Sequence, residues 1–159
     1  MATVQKKQNL TPQQALQKAK HYCAYQERCH SEVKEKLYSF GLNKNEAEET
    51  ISKLIEENYL NEERFALQFT GGKFRIKKWG RLKIKYELKK KQVSEYCIRK
   101  ALAAINDADY EAAFEKHMED KLKTLRSEKN IFIKKRKLQD YLMQKGFEMD
   151  MISEALNKL

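Results

Sequence analysis

Apolar positions recur along the chain at intervals of three and four. Ala15, Leu16, Ala19, Tyr22 and Cys23 trace one face of a helix. Before them stands Thr11-Pro12-Gln13-Gln14, in which Thr11 can cap, Pro12 suits the first helical position, and Gln14 can close a capping box. Ser31 is placed to cap a second helix carrying Val33, Leu37 and Phe40, which stops at Gly41. Asn43 and Glu46 make another capping box, opening a third helix with Ala47, Ile51, Leu54 and Ile55 on one side.

The same plan returns twice. Moving 51 residues along turns Leu37, Leu42, Ala47, Ile51 and Leu54 into Leu88, Val93, Ile98, Leu102 and Ile105. Moving a further 54 gives Leu142, Phe147, Ile152, Leu156 and Leu159. All are apolar, and Gly41, Gln92 and Gly146 fall in register between them. This is an internal repeat of three-helix units. The expected fold is all-α: three tandem units at 11–60, 61–108 and 109–159 in an elongated, curved solenoid, preceded by a polar, disordered tail at 1–10. The opening helix of the second unit carries Phe65, Ala66, Phe69 and Phe74. Gly71-Gly72 interrupts it, so the helix should end there or receive a close neighbour. The third unit opens with a stripe from Tyr110 to Leu125. A loop at 126–130 follows, then Ile131-Phe132-Ile133 and the run Lys134-Lys135-Arg136-Lys137.

Charge adds what periodicity cannot. The chain of 159 residues has 33 Lys and Arg against 23 Asp and Glu, a net +10. Residues 71–100 hold twelve of those cations and two of the acids, so the excess sits in one segment while the other 129 residues balance. A concentrated positive field attracts a polyanion, either nucleic acid or an acidic protein surface. No apolar run is long enough to span a bilayer and the first ten residues lack an apolar signal core, so a cytoplasmic protein is expected. Three Cys suit reduced thiols better than a disulfide framework.

The candidate binding residues are Lys73, Arg75, Lys77, Lys78, Trp79, Arg81, Lys85 and Lys89, extended by Lys134, Lys135 and Arg136. Arg81, Lys85 and Lys89 follow an i, i+4 spacing, with Lys78 one turn earlier, which would line one exposed helix face. Trp79 is open between core packing and contact with a base or partner. The group His21, Cys23, Cys29 and His30 invites a zinc reading, but Cys23 lies on the apolar stripe and no Cys-x-x-Cys pair exists, so packing is the better account. His117 stands alone in a charged helix. No nucleophile–base pair, phosphate loop or dinucleotide fingerprint is evident, and neither an enzyme nor a cofactor is expected.

Three stretches together resemble a known family. They are Arg28 to Leu37 ending at Gly41, Tyr59-Leu60-Asn61-Glu62-Glu63-Arg64-Phe65-Ala66, and Trp79-Gly80-Arg81-Leu82-Lys83-Ile84-Lys85-Tyr86-Glu87-Leu88 with Lys89 to Lys91. Their order and spacing are similar to the bacterial RecX family. The chain departs from the family's habits with Glu62 in place of an Asp, and with Lys78-Trp79-Gly80-Arg81 in place of a Gly-aromatic-Gly-Pro turn. The resemblance implies a non-enzymatic regulator that lodges in the groove of the RecA recombinase filament on DNA and limits its extension or recombinase activity. A monomer without a membrane partner is expected. Two other readings of the residues stay open: a helix-turn-helix-like DNA binder, and a basic protein scaffold that never touches nucleic acid.

Overall fold

The repeat in the sequence becomes a repeat of helix, cap and turn. A computed structural model describes residues 8–159. Among them the first unit has α1 (Pro12–Tyr25), α2 (His30–Ser39) and α3 (Lys44–Glu56). The second has α4 (Glu62–Gly72), α5 (Arg81–Lys90) and α6 (Glu95–Ala103), and the third has α7 (Asp107–Thr124), α8 (Ile131–Gln144) and α9 (Met149–Asn157). The fold is all-helical.

Local chemistry accounts for the helix ends. The Thr11 and Asn43 capping boxes form, each side chain meeting the backbone N–H three residues on. Asn61, Ser94, Asn106 and Asn130 cap α4, α6, α7 and α8. The second helix of every unit ends in the same turn. Leu42, Val93 and Phe147 N–H donate to the carbonyls of Leu37, Leu88 and Leu142, at 3.3, 3.1 and 3.2 Å. This six-residue closure needs a left-handed residue just before its end. Gly41 and Gly146 supply it at φ 92° and 94°, and Gln92 does so at φ 61°.

Equivalent positions are buried alike. Val33, Ile84 and Leu138, then Leu37, Leu88 and Leu142, are fully inaccessible. Ile51 and Leu102 are half-buried, while Leu159 is exposed. The apolar interior divides unevenly. One cluster lies within the first unit, from Ala15 to Leu60. The other runs unbroken through units two and three, and of the first unit only Cys29 enters it.

Two expectations are corrected. Ser31 does not cap the second helix: α2 starts at His30 with Cys29 at its N-cap and no side-chain cap bond, so Ser31 lies inside the first turn. The α-helix does end at Gly72, as the double glycine suggests, but the backbone runs on as a π-helical turn at Lys73–Lys77, and no neighbouring element packs on the glycines because Arg75 folds its guanidinium back over Gly71. The polar tail is not free as far as residue 10. Gln8 and Leu10 N–H donate to the Ser39 and Phe40 carbonyls, both at 2.9 Å, and the Gln8 carbonyl lies where a Cβ on Gly41 would stand. Residues 1–7 of that tail lie outside the described residues.

Candidate functional site

The basic segment is held at both ends by neighbours in the array. The Phe40, Lys91 and Lys145 carbonyls are equivalent, each closing the second helix of its unit. Each accepts one hydrogen bond from the preceding segment: from Leu10 N–H at 2.9 Å, Ser31 hydroxyl at 2.8 Å and Gly80 N–H at 2.7 Å. At the last of these, Leu82 N–H also donates to the Gly146 carbonyl at 2.9 Å. The start of α5 has no side-chain cap, so the carbonyls of the next unit take its place. Backbones approach so closely that a Cβ on Gly80 would sit 2.3 Å from the Gly146 carbonyl group. Gly80 thus serves close packing.

Before Gly80 the chain turns sharply. Lys78 is left-handed at φ 55°, and its carbonyl meets His117 Nε2 at 2.8 Å. His117, isolated in the sequence, is therefore a brace for this turn, with Tyr141 3.4 Å from its Nδ1 and Phe147 against its ring. Phe74 and Trp79 flank the turn on the core side, Phe74 buried and Trp79 half-buried.

The cations separate into two groups. Lys73, Arg75, Lys77, Lys78, Lys83 and Lys85 make no salt bridge among the described residues; neither do Lys134, Lys135 and Arg136. Three of the first set surround one indole: Lys73, Lys77 and Lys83 Nζ stand 5.1, 5.7 and 4.6 Å from the Trp79 ring centre. Lys73 is also 5.5 Å from the Phe69 ring. Ammonium groups gain from an aromatic face, yet none of these three is in a salt bridge among the described residues.

Arg81 belongs to the other group, which corrects its placement on a free helix face. Its guanidinium lies 3.9 Å from the Tyr110 ring centre, 3.1 Å from Asp107 Oδ1 and 3.8 Å from Glu148 Oε1. Arg81 N–H donates to the Tyr110 hydroxyl, which donates in turn to Glu148 at 2.8 Å. Burial pushes the Tyr110 phenol well above its ordinary range, aided by the Glu148 carboxylate. Arg81 is a latch between units. Lys89 pairs with Glu95 at 3.8 Å, Lys90 with Glu87 at 3.7 Å and Lys91 with Glu32 at 2.9 Å. The outward face of α5 instead carries exposed Leu82 and Tyr86 beside Lys89 and Lys90.

The smaller basic cluster does not join the Trp79 group. Lys134 to Arg136 lie in the first turns of α8, about 15 Å along its axis from the turn that receives α5. Exposed Phe132 accompanies them. The residues of the zinc reading are also divided: Cys23 packs in the first-unit core and Cys29 in the second cluster. Burial raises both thiols, Cys23 to about 11. All three Cys are free and buried. Among the described residues no group of three metal-binding side chains converges, and no helix is long and apolar enough to cross a membrane.

Sequence reasoning missed Lys83, Phe69, His117, Tyr110 and Glu148. Lys73 follows Phe69 by four residues, a spacing that brings side chains together on a helix; Lys83, in the first turn of α5, meets Trp79 just outside that helix, where no such spacing rule applies. The contacts of His117, Tyr110 and Glu148 join distant units and leave no such local trace.

Fold and site together define a basic, tandem three-helix-repeat protein. Residues 15–54, 61–102 and 108–156 match the first, second and third three-helix domains of RecX. The regulatory protein RecX of Thermotoga maritima is 32% identical over 155 residues, covering 97% of this chain and 89% of that one. That of Pelodictyon phaeoclathratiforme is 37% identical over 134 residues, covering 83% and 81%. The crystal structure of RecX from Lactobacillus salivarius aligns with a TM-score of 0.80 at 26% identity, over 93% of this chain and 96% of that one. A further crystal structure of a regulatory protein RecX aligns at 0.83 with 20% identity, over 93% and 72%, a likeness of fold. The chain belongs to the RecX family of regulatory proteins.

Proposed function

We propose that the protein binds the RecA filament on DNA and restrains its recombinase and ATPase activity, acting by contact rather than by catalysis. The observation that carries this reading is the set of cations around Trp79 that make no salt bridge among the described residues, mounted between two unit junctions in a chain of the RecX family. Lys73, Arg75, Lys77, Lys78, Lys83 and Lys85 meet DNA phosphates or acidic residues of the filament. Lys134, Lys135 and Arg136 add a second, separate point of contact. Lys side chains hold phosphate as point charges and read little sequence, which favours sequence-independent binding over the helix-turn-helix alternative. Family membership speaks against the scaffold that avoids nucleic acid. An array longer than a compact domain can span neighbouring protomers, so few copies suffice to stop a growing filament.

The test is RecA-catalysed strand exchange and DNA-stimulated ATP hydrolysis, with the protein added well below one copy per RecA. Inhibition that survives excess free DNA supports the filament as target. Complete rescue by free DNA, or no inhibition at any ratio, refutes it. On duplex DNA, engagement of about five phosphates gives a slope of log K against log salt of about −4 to −5. Lys77→Glu with Lys85→Glu should weaken binding while leaving the helical spectrum intact.

A further inference from the structure

We propose that Trp79 and the three lysines around it form a nucleotide-sized site that takes one unpaired base with its phosphate, so that the protein prefers single-stranded nucleic acid. This rests on the reading of the basic surface as a nucleic-acid contact and deepens it. Lys73, Lys77 and Lys83 converge within 6 Å of one indole. None of the three makes a salt bridge among the described residues: Glu27 and Glu32, which share a cleft with Lys73, pair with Arg64 and Lys91, and Asp107, Glu95 and Glu87 pair with Arg81, Lys89 and Lys90. A phosphodiester entering among the three ammonium groups supplies a counter-charge. It also draws them off the aromatic face, leaving a flat ring for a base to stack on.

The geometry favours this ligand over an acidic protein segment. A carboxylate would satisfy the lysines but would leave the indole unused, whereas a nucleotide carries an anion and a planar ring side by side. Base stacking on an aromatic side chain is tolerant of sequence, because every base has a face to offer. In a duplex both faces of each base are already covered by its neighbours, so only an unstacked base can use the ring. Phe74, the Lys78 turn and its His117 brace fix the Trp79 side of the site. The lysines supply the movable side.

Trp79 is the only tryptophan in the chain, so its fluorescence reports on this site alone. Full-length protein is titrated with a twelve-residue oligothymidylate and with an abasic strand of the same length and charge, each end-labelled for anisotropy. Stacking predicts quenching of Trp79 by the thymidylate strand and binding about tenfold tighter than to the abasic strand. Trp79→Leu should bind both strands equally, at the abasic affinity, and Trp79→Tyr should keep the preference. Equal affinity of the unaltered protein for the two strands, or unchanged emission at saturation, overturns the stacking site and leaves the phosphate contacts standing. Failure of both strands to bind at low salt overturns the nucleic-acid reading itself, and the stacking site with it.

Discussion

The two junctions between units use equivalent carbonyls in different ways. Where unit one meets unit two, side chains do the joining. Ser31 hydroxyl reaches Lys91 O, Glu32 pairs with Lys91, His30 approaches Glu62 at 3.5 Å and Arg64 pairs with Glu27. Where unit two meets unit three, backbone meets backbone through Gly80, Leu82, Lys145 and Gly146, and the apolar interior continues across. Partly exposed ion pairs contribute about 0–1 kcal/mol each and are screened by salt. Close-packed backbone has no such give. Units two and three therefore share one interior and a backbone junction beneath the Trp79 surface. Unit one is attached chiefly through side-chain contacts.

The sharpest way to break this comparison is to add one methyl group at the backbone junction. Gly80→Ala places a Cβ 2.3 Å from backbone atoms of Gly146, and Gly146→Ala meets Lys83 equally closely at a φ that side chains avoid. Either should cost about 3 kcal/mol or more through overpacking and strain. Ser31→Ala, at the corresponding place in the other junction, removes one hydroxyl contact and should cost about 1 kcal/mol. Urea unfolding measures all three. A Gly80→Ala loss no larger than that of Ser31→Ala would show that the junctions are equivalent after all.

Tyr110→Phe probes the same junction more gently. Its buried hydroxyl accepts from Arg81 N–H and donates to Glu148, so removal leaves a donor and a carboxylate without their partner. The expected loss is about 1.5–3 kcal/mol. Arg81→Ala should likewise destabilise, in contrast to Lys85→Ala, because Arg81 is tied to Asp107, Glu148 and the Tyr110 ring. Equal stability of the two lysine and arginine variants would return Arg81 to the free surface.

Alkali should act on both halves, with the sign set by burial. Desolvation raises the Cys23 thiol from 9.0 to about 11 and also raises Cys29, so the unfolded chain releases these protons first. Lys91 is raised chiefly by its bond to Glu32, which works in the same direction. Stability is thus fully present below pH 9 and falls as pH climbs toward 11, because the unfolded state then binds fewer protons. Cys23→Ala should flatten that fall between pH 9 and 10.5. If its slope matches that of the unaltered protein, Cys23 is not a source of the effect.

Most of this architecture was legible because it is written locally and three times. Caps at Thr11 and Asn43, the apolar register and the turn positions are short-range signals, and repetition makes each confirm the others; Ser31 looked like a third cap but its hydroxyl serves the Lys91 carbonyl of the next unit instead. The candidate site was less so. Positive charge could be placed on a segment, but whether Arg81 is free depends on Asp107, Tyr110 and Glu148, which lie 26 to 67 residues further along the chain. Helical spacing alone put Arg81 on an exposed face, yet that edge of α5 is where unit three docks. Gly71-Gly72 does mark the end of α4, but glycine permits a break in a helix without imposing one, so the backbone runs on as a π-helical turn and the Arg75 side chain fills the space beside Gly71.

Gln92 offers the mildest alteration and the most pointed. It occupies the left-handed position that Gly41 and Gly146 hold elsewhere, at φ 61° rather than 92° and 94°. At both glycines, backbone of the preceding segment lies within 3 Å of where a Cβ would be. At Gln92 the preceding unit delivers the Ser31 hydroxyl instead, so a side chain fits there and Gln92 is exposed. A left-handed conformation costs a residue with a Cβ about 1–2 kcal/mol, while glycine's greater freedom in the unfolded chain offsets about 0.5–1 kcal/mol of any gain. Gln92→Gly should therefore stabilise the protein by about 0.5 kcal/mol, seen as a slightly higher urea midpoint with an unchanged slope. A loss of stability instead would mean that the Gln92 side chain itself helps hold unit one in place, and the side-chain junction would be tighter than its bonds suggest.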